Sequence, residues 1–348
     1  MTSSPTAPLL LALIALSPGA AAFAGEPQDL TLEGIAIRPD VSADIHVRVY
    51  ENTSAPCSSG TVFAIHGANS TAATMGPLAE AIADRPIRGR PVCRVVAMDL
   101  PGHGSSSLPT GALFGELSID DYAAAVIATI EALRDEGIRP TTIMGHSMGG
   151  LVIMATQQRL VDEGSSLWSG LHIDHAILLS PALPASVPWG FRDGGGGAGL
   201  AAFAVDDPEL GPILALPPEL MPLVAFSDLE GNIPENTPTV EEMVAAGYMS
   251  VESLTASGGF FGLEGYEPAD VDAGIFADER RTWLDLIAFE QDTIITTADH
   301  VGAFPYLTGK DSTEPGFLLI EGADVTHGYP ISNPEGLLEA FEGVVSLP

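Results

Sequence analysis

Lysine is nearly missing from this chain: Lys310 is the single one in 348 residues. With arginine included, the basic residues number 13 against 46 aspartates and glutamates, so the formal net charge is −33 and the pI is near 4.2. No basic surface is left to displace phosphate counterions, which excludes an electrostatic nucleic-acid binder. The same lack argues against anchorage on anionic lipid, which needs clustered Lys and Arg. An acidic surface of this kind repels itself at low salt and is screened at high salt. It fits a saline medium and equally a genome that favours Arg codons; melting temperature against NaCl separates the two. Long apolar runs are also missing. Leu9–Leu16 spans eight residues, too short for a bilayer, and no later stretch is long enough, so no stable membrane anchor is expected. Cysteine is limited to Cys57 and Cys93. There is no internal repeat and no Gly-X-Y period, although Gly (38) and Pro (28) are abundant. What is present is apolar mass: 46% hydrophobic against 17% charged residues describes a chain able to bury a core.

The first residues read as a leader. Pro18 and Gly19 break the apolar run, and Ala22-Phe23-Ala24 follows as an A-x-A cleavage site. Cleavage is expected after Ala24, giving a soluble secreted or periplasmic protein that starts at Gly25, although the n-region carries no Lys or Arg. Two cysteines in an exported protein permit one disulfide.

The mature chain alternates strand and helix patterns. Ile45–Tyr50 alternates like a half-buried strand. Thr61–Ile65, Arg94–Met98, Thr142–Met144, Ala176–Leu179, Leu284–Phe289 and Phe317–Ile320 are short apolar runs, as suits strands covered on both faces of a parallel sheet. Helical stretches fall at Pro77–Asp84, Ile119–Glu136, Leu151–Asp162 and Pro334–Val345. This order predicts an α/β fold with a doubly wound, mostly parallel sheet. Residues 182–282 break the rhythm, with Gly194–Gly197, several prolines and two short amphipathic stretches. They are expected to form an inserted cap of short helices. The organisation is then a leader over 1–24, a core over 25–181 and 283–348, and a cap over 182–282. The glycine run is expected to be a flexible connector and not a phosphate loop, because no strand feeds it and no GK[ST] follows.

Gly145-His146-Ser147-Met148-Gly149 is a G-x-S-x-G sequence between an apolar strand and a helix. The chain must reverse so sharply there that the residues two before and two after the serine have to be small. Ser147 is left at the tip with its hydroxyl exposed, and the helix N-terminus behind it favours negative charge. That is the setting of a nucleophile. His66-Gly67-Ala68 ends an earlier strand, where glycine allows close backbone approach. The N–H groups of Ala68 and Met148 are the expected oxyanion donors, and His66 is expected to be structural.

These pieces, together with Asp99-Leu100-Pro101-Gly102-His103-Gly104-Ser105-Ser106 and Ile320-Glu321-Gly322-Ala323 leading to His327, resemble the α/β-hydrolase superfamily over nearly all of the mature chain except the cap. The resemblance implies the chain order serine, acid, histidine. Of eight histidines, His327 alone follows the last strand and precedes the last helix, so it is the expected base, although Asp324-Val325-Thr326 intervene before it. His300 is the rival. Asp292, after the Leu284–Phe289 strand, is the expected acid, with Glu290, Asp299 and an acid after the Ala176–Leu179 strand as rivals. His172 and His175 could form a metal pair, but no third ligand is evident, and neither metal nor cofactor is expected. The family's strand order also implies that Cys57 and Cys93 lie near one N-terminal edge of the sheet, as a structural disulfide.

The resemblance implies a serine hydrolase, most simply a secreted one acting on small-molecule carboxylic esters. The cap is rich in Leu, Phe, Met, Pro and Gly, which suits apolar acyl or aromatic esters. Trp189, Phe191, Phe260 and Phe261 are candidate pocket residues, each weighed against packing within the cap. Lactonase, amidase, C–C hydrolase and cofactor-free perhydrolase chemistry remain open on the same triad, as does a non-catalytic binding protein. Dehalogenase chemistry is disfavoured because its nucleophile would be Asp where Ser147 stands, and the long insertion argues against the open groove of a cutinase. No protein partner is inferred.

Overall fold

The computed structural model describes residues 26–51, 60–83, 87, 91–277 and 281–343. Eight strands form one sheet: β1 (Gln28–Arg38), β2 (Val41–Glu51), β3 (Gly60–Ile65), β4 (Val92–Met98), β5 (Thr142–His146), β6 (His175–Leu179), β10 (Trp283–Phe289) and β11 (Phe317–Ile320), in the order β1-β2-β4-β3-β5-β6-β10-β11. The first two pairings are antiparallel and every pairing from β4 to β11 is parallel. A doubly wound, mostly parallel α/β sheet is thus what the chain builds.

The apolar runs make sense strand by strand. In β3, Phe63 and Ile65 enter one core while Val62 and Ala64 enter the core on the opposite face; in β4, Val96 and Met98 oppose Val95 and Ala97 in the same way. Side chains alternate faces along a strand, so a strand buried on both sides reads as a continuous run. Helices Ile119–Asp135 and Met148–Asp162 cover the Phe63 face through residues such as Tyr122, Val126, Ile130, Leu151 and Val152. Gly76–Ala83 and Pro334–Gly343 cover the Val62 face through Leu78, Ile82, Leu337 and Leu338. Each fully buried aliphatic side chain of this kind contributes roughly 1.5–3 kcal/mol. Ser118 caps the long helix reciprocally with Asp121, whose carboxylate also accepts from Arg38 at 2.8 Å and ties the helix to β1.

Strand β1 has no clear signature in the sequence. Leu30 and Leu32 are in phase with each other, as are Ile35 and Ile37, but the two pairs are out of phase. The pairing slips between Leu32↔Ile45 and Ile35↔Ala43, with Gly34 at φ 64° in the extra residue. A bulge therefore hides the strand by breaking its period of two.

The region over the site holds strands as well as helices, which corrects the expectation of helices alone. Strands β7 (Ala204–Asp207), β8 (Gly211–Leu214) and β9 (Glu252–Ser253) form a small antiparallel sheet. They are four, four and two residues long, and β7 reads Ala-Val-Asp-Asp, so neither length nor composition marks them. The glycine run is no loose connector either. Gly195, at φ 87°, precedes a helical turn over Gly196–Leu200, and a Cβ on Gly197 would fall 2.4 Å from the Phe261 carbonyl oxygen. Close backbone packing accounts for that glycine. Cys93 is buried in β4; its expected partner Cys57 lies outside the described residues, as does the leader over 1–24.

Candidate active site

The C-terminal ends of the parallel strands converge on one site, as open α/β sheets arrange. β5 ends at His146, and helix Met148–Asp162 begins immediately after Ser147, which is held at φ 53° and ψ −122°. The neighbours leave no room for larger residues. A Cβ on Gly145 would lie 2.4 Å from the Gly149 carbonyl oxygen, and one on Gly149 would lie 2.5 Å from that of Ile65. The small residues flanking Ser147 are thus a steric requirement of the turn, and Ser147 itself is half-buried at its tip.

Behind this turn stands a histidine with a carboxylate. His327 Nδ1 is 2.6 Å from Asp292 Oδ2, with Asp292 fully buried and His327 5% exposed. Asp292 follows β10, and its other oxygen accepts the N–H groups of Ile294 and Ile295 at 2.8 and 2.9 Å. Ser180, directly after β6, donates its hydroxyl to Oδ2 from a left-handed backbone (φ 38°). At the end of the Ala176–Leu179 strand stands a hydroxyl donor to the His327-bound carboxylate. Burial pushes the Asp292 carboxyl up, but the His327 charge and these hydrogen bonds outweigh it and hold it below its ordinary value. The carboxylates of Glu290 and Asp299 are engaged elsewhere. Glu290 accepts the Gly322 N–H at 2.8 Å. Asp299 caps its own helix through Thr296 and accepts the Gly190 N–H at 2.9 Å. His300 is buried in that helix, and burial lowers it to about 4.

His146 backs the site from beneath. Its Nε2–H donates to the His327 carbonyl oxygen at 2.8 Å, and the two rings lie 4.8 Å apart. Burial brings His146 down to about 3, so it stays neutral. His66 is neutral too, lowered by burial to about 4; it donates through Nδ1 to the Gly67 carbonyl and accepts the Leu100 N–H at Nε2. His172 ends a short helix in a left-handed conformation and His175 pairs with Asp285 at 2.7 Å, so the two do not converge.

Ser147, His327, Ala68 and Gly67 open onto a cavity of about 420 Å³. Trp189, Phe191, Phe260 and Phe261 both line it and pack ring against ring, with centroids 4.2–5.9 Å apart; Trp189 stacks on Phe261 and the other pairs are tilted. Leu216, Met221, Phe226, Met243 and Ile295 add to the wall. In a chain with 46 carboxylate residues, no Asp, Glu, Lys or Arg is among the described residues lining it.

Residues 62–340 match the model of the alpha/beta hydrolase family. The chain belongs to that family. Among curated proteins it is similar to protein phosphatase methylesterase 1 of Mus musculus and of Bos taurus, each 29% identical over 126 residues, 36% of this chain. The match spans only 30% of those relatives' own length. Among solved structures, carboxylesterase CesB from Bacillus subtilis superposes with a TM-score of 0.57 at 14% identity, covering 93% of each chain. Naproxen esterase from Bacillus subtilis gives 0.54 at 17% identity, covering 92% of each. A thioesterase domain from the curacin biosynthetic pathway gives 0.51 at 16%, covering 92% of this chain and 100% of the domain. Likeness at this level shows the fold and leaves the substrate to the site.

The Asp99–Ser106 motif is tied in place by partners, His46 and Glu252, that carry no sequence signal of their own. Asp99, in the Asp99–Ser106 motif, accepts from Ala72 N at 2.6 Å, Ser105 N at 3.0 Å and His46 Nδ1 at 2.7 Å. Glu252 pairs with His103 across two fully buried side chains. These pairs predict how stability varies with pH. The Asp99 hydrogen bond raises His46. Burial lowers His103, but Glu252 overcomes it and raises the group. A raised histidine contributes stability that is complete below about 6.5 and lost as pH rises through its folded value. Burial pushes Asp99, Glu252 and Asp292 up, yet their histidine partners and other donors leave all three lowered. A lowered carboxylate contributes stability that is complete above about 4 and lost as pH falls. Three buried histidines work the other way: burial lowers His66, His146 and His300, so the stability they contribute is complete above about 6.5 and lost as pH falls. Melting temperature should therefore peak near about pH 6.5 and fall on both sides. A maximum above pH 8 would contradict this.

Proposed function

We propose that this hydrolase cleaves uncharged carboxylic esters with apolar acyl or aromatic groups, through an acyl-enzyme on Ser147. His327 takes the proton from the Ser147 hydroxyl as it attacks the ester carbonyl. Asp292 holds the Nδ1–H and stabilises the imidazolium. The N–H groups of Ala68 and Met148 receive the oxyanion; no other backbone group among the described residues accepts either of them. His327 then protonates the leaving alcohol and activates water to release the acid. The observation that carries the reading is His327 bound through Nδ1 to a fully buried carboxylate, with both His327 and Ser147 opening onto one uncharged cavity. The likeness to a methylesterase over 126 residues supports the ester end of this chemistry.

A fluorophosphonate probe should label Ser147 in the wild-type protein. Across p-nitrophenyl acetate to octanoate, kcat/KM should rise roughly fourfold per methylene, because each buried CH2 is worth about 0.8 kcal/mol. It should level off once the cavity is filled. Esters bearing a carboxylate should be poor substrates, since no Lys or Arg is among the described residues that line the wall. Labelling without turnover of any ester would shift the reading to lactone, amide or C–C bond cleavage on the same triad. No labelling at all would favour a binding protein.

A further inference from the structure

The loop carrying Ala68 is not held by the core alone. His66 Nδ1 donates to the Gly67 carbonyl at the start of the loop, and Asp99 accepts the Ala72 N–H at its end. Between them, Ser70 and Thr71 bond to Thr74 in the turn that follows, and the other anchors come from residues 214–252 of the region over the site. Ser250 N donates to the Asn69 carbonyl at 3.0 Å, and the Asn69 side chain donates to the carbonyls of Leu214 and Ser250. Thr71 donates its hydroxyl to the Gly247 carbonyl at 2.6 Å. The Asn69 N–H points at Glu252 Oε2, 3.4 Å away, with Asn69 in a left-handed conformation at φ 53°.

Glu252 is fully buried and receives four donors: Tyr122 Oη at 2.7 Å and Ser253 N at 2.9 Å on Oε1, and His103 Nε2 at 3.1 Å and Asn69 N on Oε2. His103 Nδ1 lies 3.2 Å from the Pro101 carbonyl oxygen, which only accepts. Both ring nitrogens therefore carry protons and His103 is an imidazolium. A carboxylate alone among side chains offers two acceptor oxygens to four donors at once; an amide must turn its NH2 toward two of them.

Resting on Ser147 as the nucleophile, we infer that Glu252 is a positioning residue for the reaction: by fixing the Asn69 peptide it sets the direction of the Ala68 N–H. The cap-side strand is then a fixed part of the oxyanion site. The neighbouring peptide groups are committed to partners and hold Asn69 in an otherwise unfavourable backbone conformation. In Glu252→Gln the NH2 must take the Oε2 position, because at Oε1 it would face the Ser253 N–H at 2.9 Å, which can only donate; His103 Nε2 can give up its proton and accept the amide, but the Asn69 N–H is left facing a donor.

The test compares wild type and Glu252→Gln on a p-nitrophenyl ester the wild type cleaves, with active sites titrated so that rates refer to folded enzyme. A misplaced oxyanion donor should lower kcat about 30-fold while KM stays within about twofold. Affinity for a trifluoromethyl ketone, whose adduct places an oxyanion in the same position, should fall by a similar factor. Affinity for the product alcohol should not change. Asn69→Gly keeps the backbone conformation accessible but removes the two side-chain anchors, and should show the same signature more weakly; it decides the question if Glu252→Gln does not fold. A folded Glu252→Gln with wild-type kcat overturns the inference, as does a loss confined to melting temperature. Unchanged kcat in Asn69→Gly does so where Glu252→Gln is not folded. A wild type that neither labels nor turns over any ester fails differently: it removes Ser147 as nucleophile, and the positioning role with it.

Discussion

Ser147→Ala should lose about 10⁵–10⁶ in kcat, and Ser147→Gly should be as inactive yet more stable than Ser147→Ala. The first expectation follows from the nucleophile: without its hydroxyl the site retains only the polarising N–H groups and the cavity, and a residual rate from those is all that removal of a serine nucleophile leaves. The second follows from the backbone. Ser147 sits at φ 53°, ψ −122°, a region closed to residues with a Cβ except under constraint. Alanine keeps the Cβ and relieves nothing. Glycine removes a strain of about 1–3 kcal/mol and returns about 0.5–1 kcal/mol of it as extra unfolded-state entropy. The net gain should appear as a melting temperature several degrees above that of Ser147→Ala. The strain is thus tied to function: the turn aims a hydroxyl where a relaxed turn would not. Equal melting temperatures for the two variants would show that the turn stores no strain at this residue, and full turnover by Ser147→Ala would remove it as nucleophile.

The fold was legible wherever burial is symmetric. Runs such as Val62–Ile65 and Val95–Met98 are apolar at every position because both faces of β3 and β4 are covered. A half-exposed strand would alternate instead; a buried helix can carry such a run, as Leu151–Ala155 does, and it is the short length and the turn residues that follow which mark these runs as strands. Ser147 was legible because its turn restricts the flanking residues to glycine, and that restriction is local in sequence. Ser180, His46 and Glu252 were not. Each acts through a partner 53 to 149 residues away: Ser180 through Asp292, His46 through Asp99, Glu252 through His103. A single Ser-Pro, a histidine within a strand or a Glu-Ser pair has no pattern to distinguish it from ordinary solvated residues, and only the sheet order brings the partners together. β1 was lost to one inserted residue, and β7 to its aspartates. The aromatic residues illustrate a further limit. Packing and lining are not exclusive for Trp189 and Phe260, 1% and 2% exposed, because a ring buried on one side forms the cavity wall with the other.

Asp292→Asn should lower kcat by about 10³–10⁴ with the fold intact by circular dichroism. The direction of the amide is set by the backbone. Ile294 N–H and Ile295 N–H both point at Oδ1 and can only donate, so the asparagine oxygen must occupy that position. Its NH2 then faces Ser180 Oγ and His327 Nδ1. Nδ1 must become the acceptor, and the imidazole proton moves to Nε2, the nitrogen that has to receive the Ser147 proton. His327 is left in place but in the tautomer that cannot act as base, and fluorophosphonate labelling should slow accordingly. Asp299→Asn touches no reacting group. It weakens the Thr296 capping box and the Gly190 contact, so it should cost about 1 kcal/mol of stability and under about tenfold in kcat. Glu290→Gln still offers an oxygen to the Gly322 N–H and should also stay within about tenfold. The three variants separate acid from scaffold. Near wild-type kcat in Asp292→Asn, with collapse in Asp299→Asn or Glu290→Gln instead, would mean that the hydrogen bond from His327 Nδ1 to Asp292 Oδ2 does not serve the reaction, and the acid would have to be sought after another strand.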